Sequence, residues 1–260
     1  MQYLTHPLYL PEEDFRFLFQ MLGPSLGLWR GAEIAALREV TCPPPVLDLG
    51  AGDGLVTARV LPRVAIGLDP DRVALRRAGD LGIYERFIGM PVEEANLPPA
   101  SLGTVISNSV LEHVGRIDAA LAAAARALRP GGLLAFTVPT EAFSRWLALP
   151  GADYARRRNR HFQHINLWTA EEWSARLEGA GLRVECVRPY LRRGLVRAWD
   201  VLELLQMAQV RTPRGRARLF GKAWRRLPAR WIHALARRAA RLDLSAPVPG
   251  GGRLIVARKI

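Results

Sequence analysis

Nine residues constrain this chain more than any others: Val46-Leu47-Asp48-Leu49-Gly50-Ala51-Gly52-Asp53-Gly54. They read as a buried strand that stops at Asp48 and Leu49, then a glycine turn, then a helix from Leu55 to about Leu61. Glycines at alternate positions let the backbone turn sharply and admit a ligand against bare main chain. The following helix aims its free N–H groups at that ligand. The spacing is Gly-x-Gly-x-Gly, not the Gly-x-Gly-x-x-Gly that dinucleotide-binding turns use. Asp48 lies two residues before the first glycine, where its charge would repel a pyrophosphate and suit a cation.

The chain around this stretch alternates strands and helices. Val64–Leu68 is a second strand that ends at Asp69, and Asp71 reads as the cap of a helix over Arg72–Ala78. Tyr84–Ile88 is a weaker third strand. The fourth, Thr104–Ser107, runs into Asn108-Ser109-Val110-Leu111-Glu112-His113. An alanine-rich helix over Ile117–Leu128, stopped by Arg129-Pro130-Gly131-Gly132, leads to a fifth strand at Leu133–Val138. Thr169 caps a helix over Ala170–Ala180, and strands follow at Leu182–Val187 and Gly252–Arg258. This order predicts a doubly wound α/β fold with a mostly parallel seven-stranded sheet and helices on both faces. Ligands of such sheets bind at the carboxyl ends of the strands.

The glycine turn, the acids Asp48 and Asp69, the loop ending in Leu97-Pro98 and the Leu-Glu-His run after the fourth strand together resemble the class I S-adenosylmethionine-dependent methyltransferases. The resemblance is to the small-molecule, type 11-like subgroup, over roughly residues 28–190 plus the last strand. It implies S-adenosylmethionine as cofactor, whose sulfonium and ammonium suit Asp48. It implies that Gly50 and Gly52 offer bare backbone and that Asp69 accepts hydrogen bonds from the ribose hydroxyls. Glu93, with Glu94 as the alternative, corresponds to the acid at the adenine. Asn108 and Ser109 would line the cofactor and the methyl path. N-terminal helices close over the cofactor in this family, so Arg30 could meet its carboxylate; the other reading is a solvated Arg30–Glu33 pair one helical turn apart. The last strand is expected to be antiparallel, inserted between the fifth and sixth.

The acceptor side is less defined. If the acceptor must lose a proton, the candidate bases are His113, His161, His164 and Tyr154. For His113 a loop-bracing role is the competing reading, and for the others a place in the pocket wall. His161-x-x-His164 has a spacing that metal sites use, yet no third ligand stands nearby in sequence, so no metal is expected. Cys42 and Cys186 read as reduced structural thiols.

The formal net charge of +13 is not spread evenly. Between Arg192 and Arg241 lie 14 Lys/Arg against Asp200 and Glu203 alone, so the rest of the chain is close to neutral. This divides the chain into N-terminal lid helices (1–41), a cofactor-binding core (42–190), a basic helical insertion (191–250) and a last core strand (251–260). Three helices are expected in the insertion: Leu195–Val210, Arg214–Leu227 and Ala229–Leu242. Leu219, Phe220, Trp224, Leu227, Trp231, Leu235 and Leu242 recur among arginines at helical spacing. They make either a cap on the substrate pocket or a surface for anionic membrane lipid or nucleic acid.

No leader and no apolar run near 18 residues is read, so a cytoplasmic enzyme is expected, with peripheral membrane contact as an option. The function expected is methyl transfer from S-adenosylmethionine to an oxygen or carbon of a small-molecule or lipid-like acceptor. One alternative is a nucleic-acid methyltransferase, which the basic insertion favours and Asn108-Ser109-Val110-Leu111 does not, because the resemblance to those enzymes would require a proline-aromatic motif there. The other is a non-catalytic cofactor-binding regulator.

Overall fold

The computed structural model describes residues 1–212, 215–218 and 223–260. Its elements run β1 (Gln2–Tyr3), α1 (Glu12–Leu22), α2 (Pro24–Leu37), β2 (Val46–Leu49), α3 (Thr57–Val60), β3 (Val64–Leu68), α4 (Arg72–Gly79), β4 (Tyr84–Ile88) and β5 (Leu102–Asn108). They continue with α5 (Ile117–Ala127), β6 (Leu128–Pro139), α6 (Phe143–Trp146), α7 (Ala152–Phe162), α8 (Ala170–Gly179), β7 (Leu182–Tyr190) and α9 (Arg193–Met207). A hairpin, β8 (Gln209–Thr212) and β9 (Gly215–Arg218), precedes α10 (Ala229–Ala240) and β10 (Gly252–Lys259).

The main sheet has the order β1-β7-β10-β6-β5-β2-β3-β4. β10 is antiparallel to both β6 and β7, between which it lies, and every other pairing is parallel. The sheet therefore has eight strands where seven were expected. The extra one is β1, which adds two residues beside Cys186 and Val187 at the edge. Successive side chains point to opposite faces, and both faces are apolar. Val46, Ile106, Ala135, Leu254 and Val256 pack under α1, α2, α9 and α10. Their neighbours Leu47, Val105, Leu134, Phe136 and Ile255 pack under α5 and α8.

Local signals account for several boundaries. Asp71 accepts hydrogen bonds from the Val73 and Ala74 amides and starts α4. Thr169 and Glu172 form a reciprocal capping box at α8. The Arg129-Pro130-Gly131-Gly132 run follows the end of α5 at Ala127, as a stop should, and is also part of β6, where the pairing with β5 shifts register between Leu102 and Thr104. A second difference lies in the insertion. The expected helix over 214–227 is a strand at Gly215–Arg218 and a 3-10 turn at Ala223–Arg226. Val210 and Thr212 are β-branched and Gly215 is a poor helix former, so the hairpin is the better local fit. Leu219 and Phe220 lie outside the described residues. On α10, Ile232, Ala236 and Ala239 are buried, whereas Trp231 and Leu235 are exposed.

Candidate active site

The loop after β2 is the first wall of a cavity of about 260 Å³ at the carboxyl end of the sheet. Gly50 and Gly52 have φ of 76° and 54°, a left-handed conformation that glycine adopts without strain. A Cβ on Gly50 would lie 2.3 Å from a Val110 methyl, so the backbone there is pressed against the β5 loop. A Cβ on Gly52 would meet nothing within 4 Å. Gly52 lines the cavity, so its bare backbone leaves room there that a side chain would take.

Two acids line the same cavity. Asp69, at the end of β3, accepts the Gly52 amide on one oxygen (2.9 Å) and the Asp71 amide on the other (2.8 Å). These bonds fix the carboxylate and leave further lone pairs for hydroxyl donors. Asp48 is buried, and the Tyr84 hydroxyl donates to it at 2.7 Å. Burial pushes its pKa up to about 6, with hydroxyl bonds from Tyr84 and Thr57 opposing that shift. Among the described residues no cation pairs with Asp48. A ligand carrying positive charge would fit this donor set.

The opposite wall is tied together by Glu33. Glu33 on α2 is fully buried. It accepts from the Trp29 indole at 2.7 Å, Arg30 at 2.6 Å and the Asn108 amide at 3.0 Å, and also from the Ser109 hydroxyl. Thr137 on β6 donates to Asn108 Oδ1 at 2.8 Å. Ser109 has φ of 51°, rare for a residue with a side chain, and its amide is held by the Thr137 carbonyl at 3.0 Å. Glu33 on α2 and Thr137 on β6 thus fix Arg30, Asn108 and Ser109 at the cavity wall.

Arg30 and Ser109 also line a second, smaller cavity of about 110 Å³. Its walls are aromatic: Trp29, Phe143, Phe162 and Trp199, with Trp29 and Trp199 centroids 4.9 Å apart. Three titratable groups face it, Glu112, His113 and His164. Glu112, on the 3-10 turn Leu111–His113, is 1% exposed and its Oε2 has no hydrogen-bond partner. Burial and the nearby charge of Glu33 raise its pKa to about 8, against the pull of Arg30. His164 is pushed down to about 3, first by burial and then by His113 and Arg158. His113 is also lowered by burial, and its Nδ1 lies 3.1 Å from the Gln163 carbonyl.

The two cavities thus bring together Arg30, Asp48, Gly50, Gly52, Asp69, Asn108 and Ser109 on one side and His113 and His164 on the other. Glu93 lies on the 3-10 turn Val92–Glu94, outside both walls. His161 is exposed on α7 and lines neither cavity. Tyr154 is buried, donates to Asp200 at 2.7 Å, and has its pKa raised by burial and by that bond. It too lines neither cavity. Glu33 and Glu112 were missed as site residues. Glu33 carried a signal, an acid among the apolar residues of α2, but its partners are distant in sequence.

The strand order and a cavity at the strand ends define a Rossmann-like α/β protein. Residues 30–187 match the family model described as a methyltransferase domain, and the chain belongs to that family, the class I S-adenosylmethionine-dependent methyltransferases. An uncharacterized methyltransferase of Mycobacterium tuberculosis is 34% identical over 113 residues, which cover 39% of this chain and 55% of that protein. A ubiquinone biosynthesis O-methyltransferase of Xanthomonas euvesicatoria is 34% identical over 153 residues, covering 55% of this chain and 64% of the other. The chain thus spans somewhat over half the length of these relatives. A crystal structure of a methyltransferase from Thermotoga maritima, described as a possible histamine N-methyltransferase, superposes with a TM-score of 0.58 at 15% identity. That superposition covers 95% of this chain and all of the other.

Proposed function

We propose that this chain transfers a methyl group from S-adenosylmethionine to an oxygen or carbon of a small-molecule or lipid-like acceptor. The carrying observation is that the glycine-loop cavity and the aromatic cavity share Arg30 and Ser109. A donor in the first would face an acceptor in the second. When bound, the cofactor supplies an already activated methyl group, so the protein's task is alignment, an effect worth up to ~7–11 kcal/mol.

In this reading Asp69 holds the ribose hydroxyls, Asp48 faces the positive charge, and Gly50 and Gly52 give the ligand bare backbone. Arg30 spends one donor on Glu33 and keeps others for a carboxylate. The aromatic walls exclude water and stack an apolar acceptor end. Glu112 is the group best placed to take a proton at its free Oε2, and a pKa near the working pH suits that task. His164, held near 3, is a weak base and serves better as a neutral wall.

The exposed Trp231 and Leu235 beside Arg230, Arg237 and Arg238 support peripheral contact with anionic membrane. No helix among the described residues is long and apolar enough to cross a membrane. The test of the function is incubation with isotope-labelled methyl donor and fractionated lysate. Label in a soluble-metabolite or lipid fraction is the expected result; label in nucleic acid, or tight cofactor binding with no label anywhere, would overturn the reading.

A further inference from the structure

A third concavity, of about 710 Å³, opens beside the aromatic cavity and belongs to neither wall described above. Four arginines line it: Arg145 on α6, Arg156 on α7, and Arg193 and Arg197 on α9. Among the described residues, Arg145, Arg193 and Arg197 have no carboxylate within ion-pair distance, and Arg156 has only the exposed Asp153. The nearest acid along α9, Asp200, is buried and already engaged. It is 2.9 Å from Arg158 and accepts from Tyr154 and the Ala148 amide. Like charges gathered around one hollow repel, and among the described residues only the exposed Asp153 offsets them. A multivalent anion would. The planar guanidinium fork matches phosphate oxygens two at a time, which distinguishes such a set from a ring of lysines. The space exceeds the needs of a single phosphate and falls within the usual range of ligand pockets.

The groove and the aromatic cavity are lined by neighbouring residues of α6 and by side chains bonded to one another. Phe143 faces the aromatic cavity and its neighbour Ser144 faces the groove. Asn159 donates to Ser144 at 2.7 Å, and its other amide atom is 3.4 Å from His164, which faces the aromatic cavity. These are side-chain bonds, so a ligand can replace them without moving a strand.

We propose that the arginine groove binds the phosphate or diphosphate group of a phosphorylated acceptor, whose apolar end is methylated in the aromatic cavity. The acceptor half of this assignment rests on the function proposed above; the anion half does not.

The test has two arms. In the first, inorganic pyrophosphate is titrated calorimetrically at fixed ionic strength into the wild type, Arg193→Gln/Arg197→Gln, and a control pair on another face, Arg226→Gln/Arg230→Gln. All four arginines are exposed, and circular dichroism and S-adenosylhomocysteine affinity check that the fold is intact. The expected result is saturable binding, weakened by about ten-fold or more in the groove pair only, as loss of charge-assisted bonds implies. No binding, or equal weakening in both pairs, overturns the groove. In the second arm, label uptake from a small-molecule extract is measured before and after phosphatase treatment. Uptake should fall on dephosphorylation, and the groove variant should raise KM with little change in kcat. Pyrophosphate binding with phosphatase-resistant uptake makes the groove a site for a free phosphate ligand and overturns the acceptor half. Failure to bind S-adenosylhomocysteine sinks the methyl-transfer reading instead, while the pyrophosphate titration still decides the groove.

Discussion

At the scale of single residues, the site divides by how local its determinants are. Asp48, Gly50, Gly52 and Asp69 were readable because each sits at a strand end or in the turn beside it, and its geometry follows from a few neighbours. Glu33 and Glu112 were not, because packing sets them apart: Glu33 also binds Asn108 and Ser109, 75 and 76 residues away, and the Glu112 carbonyl accepts the Ile165 and Asn166 amides. Asp69→Ala should weaken S-adenosylhomocysteine binding by about 1.5–3 kcal/mol, measured by calorimetry, since hydrogen bonds to a charged acceptor carry that much. An unchanged isotherm would move the ribose elsewhere. Glu112 gives a pH signature. Its pKa is about 8 in the fold and near the ordinary 4.5 when the chain is unfolded, so between those values the folded state holds more protons. Stability must then fall as pH rises through this window and level off above it. Arg30, Glu33, His113 and His164 surround the group, and the two histidines are shifted toward neutrality. Glu112→Gln should therefore be more stable than the wild type at pH 9, by up to about 4 kcal/mol, with the difference vanishing only below about pH 4. Denaturant melts at the two pH values check this. If Glu112 takes the acceptor's proton, the same variant should lose ~10²–10⁴ in turnover with cofactor affinity intact.

At the scale of elements, the strongly patterned segments were legible and the weakly patterned ones were not. Strands buried on both faces read as short apolar runs, and the caps at Asp71 and Thr169 fixed where helices begin. The hairpin β8–β9 escaped because arginines spaced among apolar residues satisfy a helix and a ribbon alike, and the choice fell to Val210, Thr212 and Gly215. The contact of α1 with α2 is also a matter of close approach. Gly27 and Gly31 are one helical turn apart, and a Cβ on either would come within 2.7 Å of Phe19 or Phe15 ring atoms. Those rings are buried and have no room to give. Gly31→Val should cost about 1–3 kcal/mol through overpacking, read from chemical denaturation. Because α2 also carries Trp29, Arg30 and Glu33, the same change should weaken cofactor binding. A variant as stable as the wild type would mean that α1 can shift outward without loss.

At the scale of the whole molecule, the excess of positive charge belongs to one sequence segment. Most of the surplus of +13 lies between Arg192 and Arg241, and part of it lines the arginine groove. The remainder includes α10, whose two faces do different things. Ile232, Ala236 and Ala239 are buried against the body of the protein. Trp231 is 61% exposed and Leu235 41%, close in sequence to Arg230, Arg237 and Arg238. A helix already anchored by one apolar face has no internal use for exposed tryptophan and leucine on another. Tryptophan at headgroup level and arginine against anionic lipid would use them, each basic residue near the surface contributing about 1 kcal/mol. The substitution Trp231→Ser/Leu235→Ser leaves the buried face untouched, so it separates lipid contact from folding. The wild type should sediment with anionic vesicles, less so at high salt and not with neutral ones. The variant should keep the wild-type melting temperature and lose most of that binding. Equal sedimentation of the two proteins would assign the attraction to the arginines alone, and no sedimentation of either would leave α10 as a solvated cap over α1.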